Sequence, residues 1–285
     1  MPKKTPHIHL HTMPDEFGPG IAIAQVSLED LEDIDEINQV HRDAYHVFFL
    51  QERGTSHIVV DFQDYHLTSY SIGYIHPMQV HRVAELNDMG FVALMVNTEN
   101  LNPEYAALLQ SIAPVKPLSL TEEAFALLME AASLCIKIYG RKDQKLYYPL
   151  LKDSCNALVG LIAAQFMAQP QKAGTLPRFD AVTKAFKAEL ERSFITRKRP
   201  AYYGQSLSIS VPYLNECVKN NTGHPVTYHI AQRVVLEAKR LLVHSGKSVK
   251  EIAADLGYDD YPYFSRLFTK TTGMTALAFR SKYRD

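Results

Sequence analysis

From about Ile21 to Asn97 the apolar residues fall in short runs. AYHVFFLQ, SHIVVDF, YHLTSYSIGYIH and GFVALMVN are rich in Val, Ile, Phe and Tyr, the residues that fit a pleated, half-buried surface. Gly54, Asp64, Gly73, Pro77 and the Asp88-Met89-Gly90 triplet punctuate them, as turn residues do between strands. Several short strands at this spacing predict a sandwich or small barrel. Residues 1–20 ahead of them contain Pro2, Pro6, Pro14 and Pro19 and read as an irregular leader.

Past Pro114 and Pro117 the period becomes helical. Ser119 followed by Glu122 has the spacing of a capping box. Phe125, Leu128, Met129, Ala132, Ile136 and Tyr139 then recur on one face, and Gly140 closes the helix. A second helix is predicted from about Leu146 to Met167, with Leu151, Leu158, Ile162 and Phe166 along one side. Such a pair packs on the strands, on itself or on a second chain. For a dimerising pair, the faces carrying Leu151 and Leu158 are the ones a partner would cover.

AQPQKAGTLPR, residues 168–178, has a linker's composition, with two prolines and a glycine. From Phe179 onward the pattern is helices joined by short turns, and one plan occurs twice. In 201–223 a helix, a turn at Leu207–Ser210 and a second helix follow one another. In 248–273, Ser248 caps a helix with Glu251 at its third position, Ile252, Ala253 and Leu256 form the buried stripe, and Gly257 supplies the positive φ that ends it. Asp260 caps the next helix, whose core is Tyr263, Phe264, Leu267 and Phe268. Ser-Val-Pro-Tyr-Leu from Ser210 and Asp-Tyr-Pro-Tyr-Phe from Asp260 open the two second helices, and both end on Thr-Gly. This is helix–turn–helix spacing. A long helix, Val226 to Ser245, with Ile230, Val234, Ala238 and Leu241 on one face, joins the two units.

Charge sharpens the picture. The net charge of −1 over 285 residues hides an asymmetry: residues 177–285 carry 18 basic and 10 acidic side chains, net +8, and the remainder 12 and 21, net −9. A basic module beside an acidic one suits a nucleic-acid reader attached to a sensing domain. Cys135, Cys155 and Cys217 are odd in number and far apart, which excludes a disulfide framework and a CxxC metal site. The longest uncharged apolar run, residues 156–168, is short of the ~20 residues a membrane helix needs. The first twenty residues lack the apolar core of a secretory signal. The expectation is a cytoplasmic protein with no membrane partner.

The stretch Ile230 to Arg280 resembles the AraC/XylS family of transcription regulators. Arg233, Glu237-Ala238-Lys239-Arg240-Leu241-Leu242, Val249-Lys250-Glu251-Ile252-Ala253, Leu256-Gly257-Tyr258, Tyr263-Phe264-Ser265-Arg266-Leu267-Phe268, Gly273 and Phe279-Arg280 carry the resemblance, and the weaker first unit extends it back to about Phe179. Where the family has proline after Gly-x-Ser/Thr, Ala276 follows Gly273-Met274-Thr275 here. The resemblance implies that the second helix of each unit lies in the major groove. The residues facing DNA would be Pro212, Asn215, Glu216 and Lys219 in the first unit, with Val211 beside them, and Tyr261, Pro262, Ser265, Arg266, Thr269 and Lys270 in the second. Asn215 would pair with adenine, Glu216 would accept from cytosine and Arg266 would read guanine, contact backbone or pack instead. Lys219, Thr269, Lys270 and the Arg197-Lys198-Arg199 run would meet phosphates, unless that run is a solvated loop. Arg233 would pair with an acid of the second unit.

With a His/Tyr strand, a Gly turn, an Asp61…Tyr65 hairpin and Pro77-Met78-Gln79-Val80-His81, residues 41–83 resemble the cupin-type sensing barrel that precedes many such DNA-binding domains. His41, His46, His57, Tyr74, His76 and His81 would then face a small-molecule effector. Two metal readings compete with this: His7, His9, His11 and Glu16 in the leader, and His41 with His46 and His81. Both rank below polar or cavity-lining histidines, so no metal and no cofactor are expected. The chain is therefore read as an α+β protein of two domains. A leader (1–20) precedes a cupin-like β-barrel (21–118), a helical dimerisation segment (119–167), a linker (168–178) and an all-α DNA-binding domain with two helix–turn–helix units (179–285). The function implied is sequence-specific binding of promoter DNA by a homodimer responsive to a small molecule, with RNA polymerase as a further partner and no catalysis. The alternative is a metal-dependent cupin enzyme fused to a helical module.

Overall fold

The computed structural model describes residues 8–13, 20–27, 38–112, 116–168 and 177–283. The chain divides into two compact units, one within His9–Gln171 and the other within Lys172–Asp285. In the first, β1 (His9–His11), β2 (Ile21–Ser27), β3 (His41–Asp43), β4 (His46–Val60), β5 (Gln63–Leu67), β6 (Ser71–Ile75) and β7 (Val80–Val96) precede α1 (Pro103–Ile112), β8 (Leu118–Ser119), α2 (Glu122–Tyr139) and α3 (Tyr147–Met167). The leader falls largely outside the described residues, Glu16 and His7 included, but its His9–His11 segment is a strand rather than irregular chain.

The sheet is mixed and runs β1-β3-β7-β4-β6-β8, with β2 on β7 and β5 on β4. A barrel was the expectation; the pairings among the described residues form an open sheet with no closing ladder. The strands are also fewer and longer than the turn residues suggest. AYHVFFLQ and SHIVVDF belong to one fifteen-residue strand, β4, and GFVALMVN is the end of the seventeen-residue β7. Gly54, with φ +74°, lies inside β4 where the register against β7 shifts on both sides of Arg53, and Asp88, with φ 42°, lies across from it. A Cβ on Gly54 would stand 2.2 Å from the Asp88 carbonyl oxygen. The residues read as turns are bulge residues facing each other, and the extra twist of a bulge lets both strands continue through the bend.

That bend divides the sheet. On one side β4 and β7 pair with β6 and β2, on the other with β5 and β3. The first side carries the core. Phe48, Leu50, Ile72, Val92, Leu94 and Val96 face Phe125, Leu128 and Ala132 of α2 and Leu151, Leu158 and Ile162 of α3. α2 is capped by Thr121, whose hydroxyl accepts from Ala124 N at 3.3 Å, two residues beyond the Ser119 expected for that role; Ser119 pairs with Ser71 in β8. α1, unanticipated, adds Leu109 to the same core. Leu151 and Leu158 are fully buried here. They are therefore not surfaces for a second chain, and an aspartate at either would unfold the unit before it could report on a dimer.

The second unit is entirely helical among its described residues. α4 (Pro177–Ser193) is followed by α5 (Pro200–Ser206), α6 (Val211–Thr222), α7 (Val226–His244), α8 (Val249–Asp255), α9 (Tyr261–Thr272) and α10 (Ala276–Tyr283). Residues 169–176 of the expected linker lie outside the described residues, and its last two open α4. Phe186, Tyr203, Leu214 and Val218 form one core; Ile252, Leu256, Phe264, Phe268 and Phe279 form another. Between them α7 buries Ile230, Val234 and Ala238. No helix among the described residues is long and apolar enough to cross a membrane.

Candidate nucleic-acid interface

The two units of the helical domain repeat at the level of single atoms. α6 is capped by Ser210, whose hydroxyl accepts from Tyr213 N, and α9 by Asp260, whose carboxylate accepts from Tyr263 N at 2.9 Å. Both helices end on a glycine in the left-handed region, Gly223 at φ 82° and Gly273 at φ 78°. Just before each glycine a threonine bonds back to the helix: Thr222 to Val218 O at 2.7 Å and Thr272 to Phe268 O at 2.9 Å. Such caps satisfy the end groups that a short helix cannot pair within itself. On α8, Ser248 and Glu251 make the expected capping box. Gly257 takes φ +75°, and a Cβ there would meet Ile195 O at 2.4 Å, so this turn admits no side chain. After Gly273, Thr275 Oγ1 accepts from Ala278 N at 3.2 Å, so α10 is capped although Ala276 replaces the family's proline.

The exposed faces follow. Pro212, Glu216 and Lys219 line the outer side of α6 with Val211; Tyr261, Pro262, Arg266 and Lys270 line α9, with Ser265 and Thr269 half-buried at its edge. Asn215 departs from the expectation. It is half-buried, and its Oδ1 accepts from Val226 N at 3.1 Å, tying α6 to the start of α7. A bidentate grip on adenine needs that oxygen as well as the amide nitrogen, so Asn215 is a structural cap. Phe264 and Phe268 are core, but Tyr263 is 51% exposed and stacks on Tyr258 at 5.9 Å. Helical spacing put it on the apolar stripe; its place in the first turn of α9 carries it past the edge of the core.

Of the basic run, Lys198 is not available to phosphate. Its Nζ donates to Phe194 O and to Ile195 O, the latter at 2.6 Å, and burial lowers its pKa to about 8. Arg197 lies over the Tyr202 ring at 4.9 Å, and Arg199 is exposed. Arg233 does pair with acids, but on the near side. Its Nε donates to Glu191 of α4 at 2.7 Å and its Nη1 to Glu237 at 3.2 Å, while its guanidinium stacks on Phe194 at 3.8 Å. Glu237 also accepts from the buried Arg240 at 2.8 Å. Burial works against its charge, yet the Arg240 and Arg233 guanidiniums outweigh it and hold its pKa below the ordinary value.

In the first unit of the chain the six expected effector residues fall into three places. His46, Tyr74 and His76 meet: His46 Nδ1 is hydrogen-bonded to the Tyr74 hydroxyl at 2.9 Å, its Nε2 to Thr98 Oγ1 at 3.0 Å, and its ring lies 5.6 Å from that of His76. His41 and His81 face each other at 4.2 Å on the other side of the bend. His57 stands apart, donating to Asp64 at 2.8 Å and stacking on His66 at 4.3 Å. Asp43, outside the expected effector set, joins His41, His81 and His11. The His41-x-Asp43 spacing on one strand face was its only local signal.

Burial lowers the His46 pKa to about 3, with His76 adding to the effect. The fold therefore holds the neutral ring, and the stability this contributes is complete above the unfolded value near 6.5 and is lost as pH falls toward 3. Between pH 7 and pH 5 this one imidazole should cost the unit about 2 kcal/mol. Urea unfolding at the two pH values checks this, with His46→Gln expected to flatten the dependence.

Comparison with known proteins adds the following. A family model described as a helix-turn-helix domain matches residues 203–282. The HTH-type transcriptional activator RhaR of Shigella dysenteriae serotype 1 (strain Sd197) is 24% identical over 238 residues, covering 80% of this chain and 82% of its own length. RhaR of Escherichia coli (strain K12) is 23% identical over the same shares. Among solved structures, an apo ToxT variant from Vibrio cholerae strain SCE256 aligns over 93% of this chain and 98% of its own, at 14% identity and TM-score 0.40. The DNA-binding domain of AdpA in complex with a target DNA aligns over 36% of this chain and 91% of its own, at 22% identity and TM-score 0.33.

Proposed function

We propose that this chain is a DNA-binding transcription regulator of the AraC/XylS family, as its match to a helix-turn-helix domain and its similarity to RhaR support, and that it grips a bipartite promoter site with α6 and α9 in successive major-groove segments, as a homodimer whose sheet unit senses a small molecule. The observation that carries this reading is the matched pair of capped helices, each with an outward polar face, within residues 177–285 of net charge +8. Phosphate contacts from Lys219, Lys270 and Arg199 set position, and Glu216 and Arg266 address base edges. RhaR is described as an activator; activation here would bring RNA polymerase to the site, in the cytoplasm. The cupin-like reading of the sheet unit rests on its strand content and on the His46–Tyr74–His76 group beside its core. Selection of random duplexes by the full chain tests the reading. A common motif with two half-sites about one helical turn apart is expected; equal weak affinity for all sequences, even at low salt, would overturn it.

The dimer needs a surface other than Leu151 and Leu158. α2 offers one, since Leu127 and Leu134 are exposed, at 51% and 54%, with Ala131 and Ile138 half-buried on the same stripe. The 4-3-4 spacing is that of a coiled-coil seam. Its N-terminal flank is acidic (Glu123, Glu130) and its C-terminal flank basic (Lys137, Arg141), so an antiparallel second copy sets unlike charges together. Leu134→Asp should halve the mass seen by light scattering without changing the circular dichroism. An unchanged mass would exclude this face.

A further inference from the structure

Strand register in the sheet unit gathers four side chains from three separate strands. β1 runs parallel to β3 with His11 beside Asp43, and β3 pairs antiparallel with β7 so that His41 lies opposite His81. Ligand atoms of His11, His41 and Asp43 lie within 4.8 Å of one another. His81 Nε2 is 3.3 Å from Asp43 Oδ2, and the His11 and His41 rings stack at 4.5 Å.

The hydrogen bonds around this group fix where its electron pairs are. His41 Nδ1 lies 2.8 Å from Gln39 O and His81 Nδ1 lies 3.1 Å from Gln79 O. A carbonyl oxygen can only accept, so each Nδ1 carries a proton, and in the neutral ring each Nε2 holds the lone pair. Asp43 is 5% exposed; Tyr45 hydrogen-bonds its carboxyl group, but its Oδ1 has no hydrogen-bond partner among the described residues, and His11 Nδ1 stands 3.7 Å from that oxygen. A buried carboxylate without its full set of donors is costly unless a positive charge sits beside it. An imidazole oriented by a backbone carbonyl on its far nitrogen is the usual arrangement of a metal-bound histidine. Nitrogen-rich donors with one carboxylate suit zinc, iron, cobalt or nickel rather than calcium or magnesium.

We infer that His11, His41, Asp43 and His81 form a binding site for one divalent first-row transition-metal ion. The ion ties β1, a three-residue edge strand, to β3 and β7. The site shares no residue with the His46–Tyr74–His76 group or with α6 and α9, so it stands or falls independently of the regulator reading.

The test uses the full chain stripped with a chelator and titrated with Co(II), followed by its d–d absorption, with Zn(II) as competitor. Saturation at one equivalent is expected, with a melting temperature that rises with metal concentration. His11→Gln, Asp43→Asn and His81→Gln should each weaken binding by at least the ~10-fold that loss of a mere outer partner costs, while His66→Gln leaves it unchanged. His11 is at an edge and 31% exposed, so its variant is expected to keep the wild-type circular dichroism and so separates loss of a ligand from loss of fold. Absence of saturable uptake at one equivalent, or wild-type affinity in both His11→Gln and Asp43→Asn, would overturn the inference.

Discussion

Glu237→Gln should destabilise the helical unit by about 3–5 kcal/mol, the usual cost of removing one partner from a buried ion pair. Glu237 sits between Arg233 and Arg240, and the Arg240 side chain is only 3% exposed. The amide keeps the volume and loses the charge, so the two guanidiniums face each other across a neutral group. Arg233 retains Glu191, which is the more exposed of its acids. Arg240 lies deeper, and most of the penalty falls there. Urea unfolding followed by helical signal measures it; a loss under about 1 kcal/mol would mean that water screens the cluster as it does surface pairs. The sign with pH is fixed by the direction of the shift. The Glu237 pKa is depressed in the fold, so its contribution is present above the unfolded value and fades as pH falls through the folded one. The wild type should lose stability on acidification over that range more steeply than Glu237→Gln. Since α7 joins the two helix–turn–helix units, the variant should also bind two half-sites with less mutual reinforcement.

Arg266→Ala and Lys270→Ala should separate two kinds of contact on one helix. Arg266 and Lys270 are both exposed on α9, a turn apart, beyond the Asp260 cap. Arg266 has the planar fork that matches the acceptor edge of guanine. Its loss should cost about 1–3 kcal/mol and relax preference at one base pair. Lys270, near the end of the helix, should lower affinity alike for all sequences and reduce the slope of log K against log salt by about 1. Binding curves on a selected site and its single-base variants, at several salt concentrations, distinguish them. If Arg266→Ala weakens all the variants equally, Arg266 is a backbone contact and α9 reads by shape.

Much of the helical unit is legible in its sequence because its signals are local. Ser210, Asp260, Ser248 and Glu251 act within three residues of their own positions, and Gly223, Gly257 and Gly273 declare the backbone they adopt. Asn215 is the exception. It looks like a base reader by type and position, and its bond to Val226 N is invisible until α6 and α7 are packed. In the sheet unit the same local rules mislead. Gly54 and Asp88-Met89-Gly90 satisfy the chemistry of a turn, and a bulge asks for the same chemistry, so the pattern marks an end where the strands run on. The effector set scattered for a related reason. Strand register decides which histidines meet, and it joined His41 and His81 to His11 and Asp43 while leaving His46 across the bend.

The paired irregularity at Gly54 and Asp88 has a consequence for how this protein could be altered. Side chains on a strand change faces with each residue removed. Deleting Gly54, which looks like trimming a harmless loop, would turn the stretch from Thr55 to Val60 inside out relative to β7, while the matching excess on the opposite strand stayed in place. A compensating deletion near Asp88 would be required to restore the match. The two positions are thus bound into a single heritable length, and neither strand is free to shorten alone.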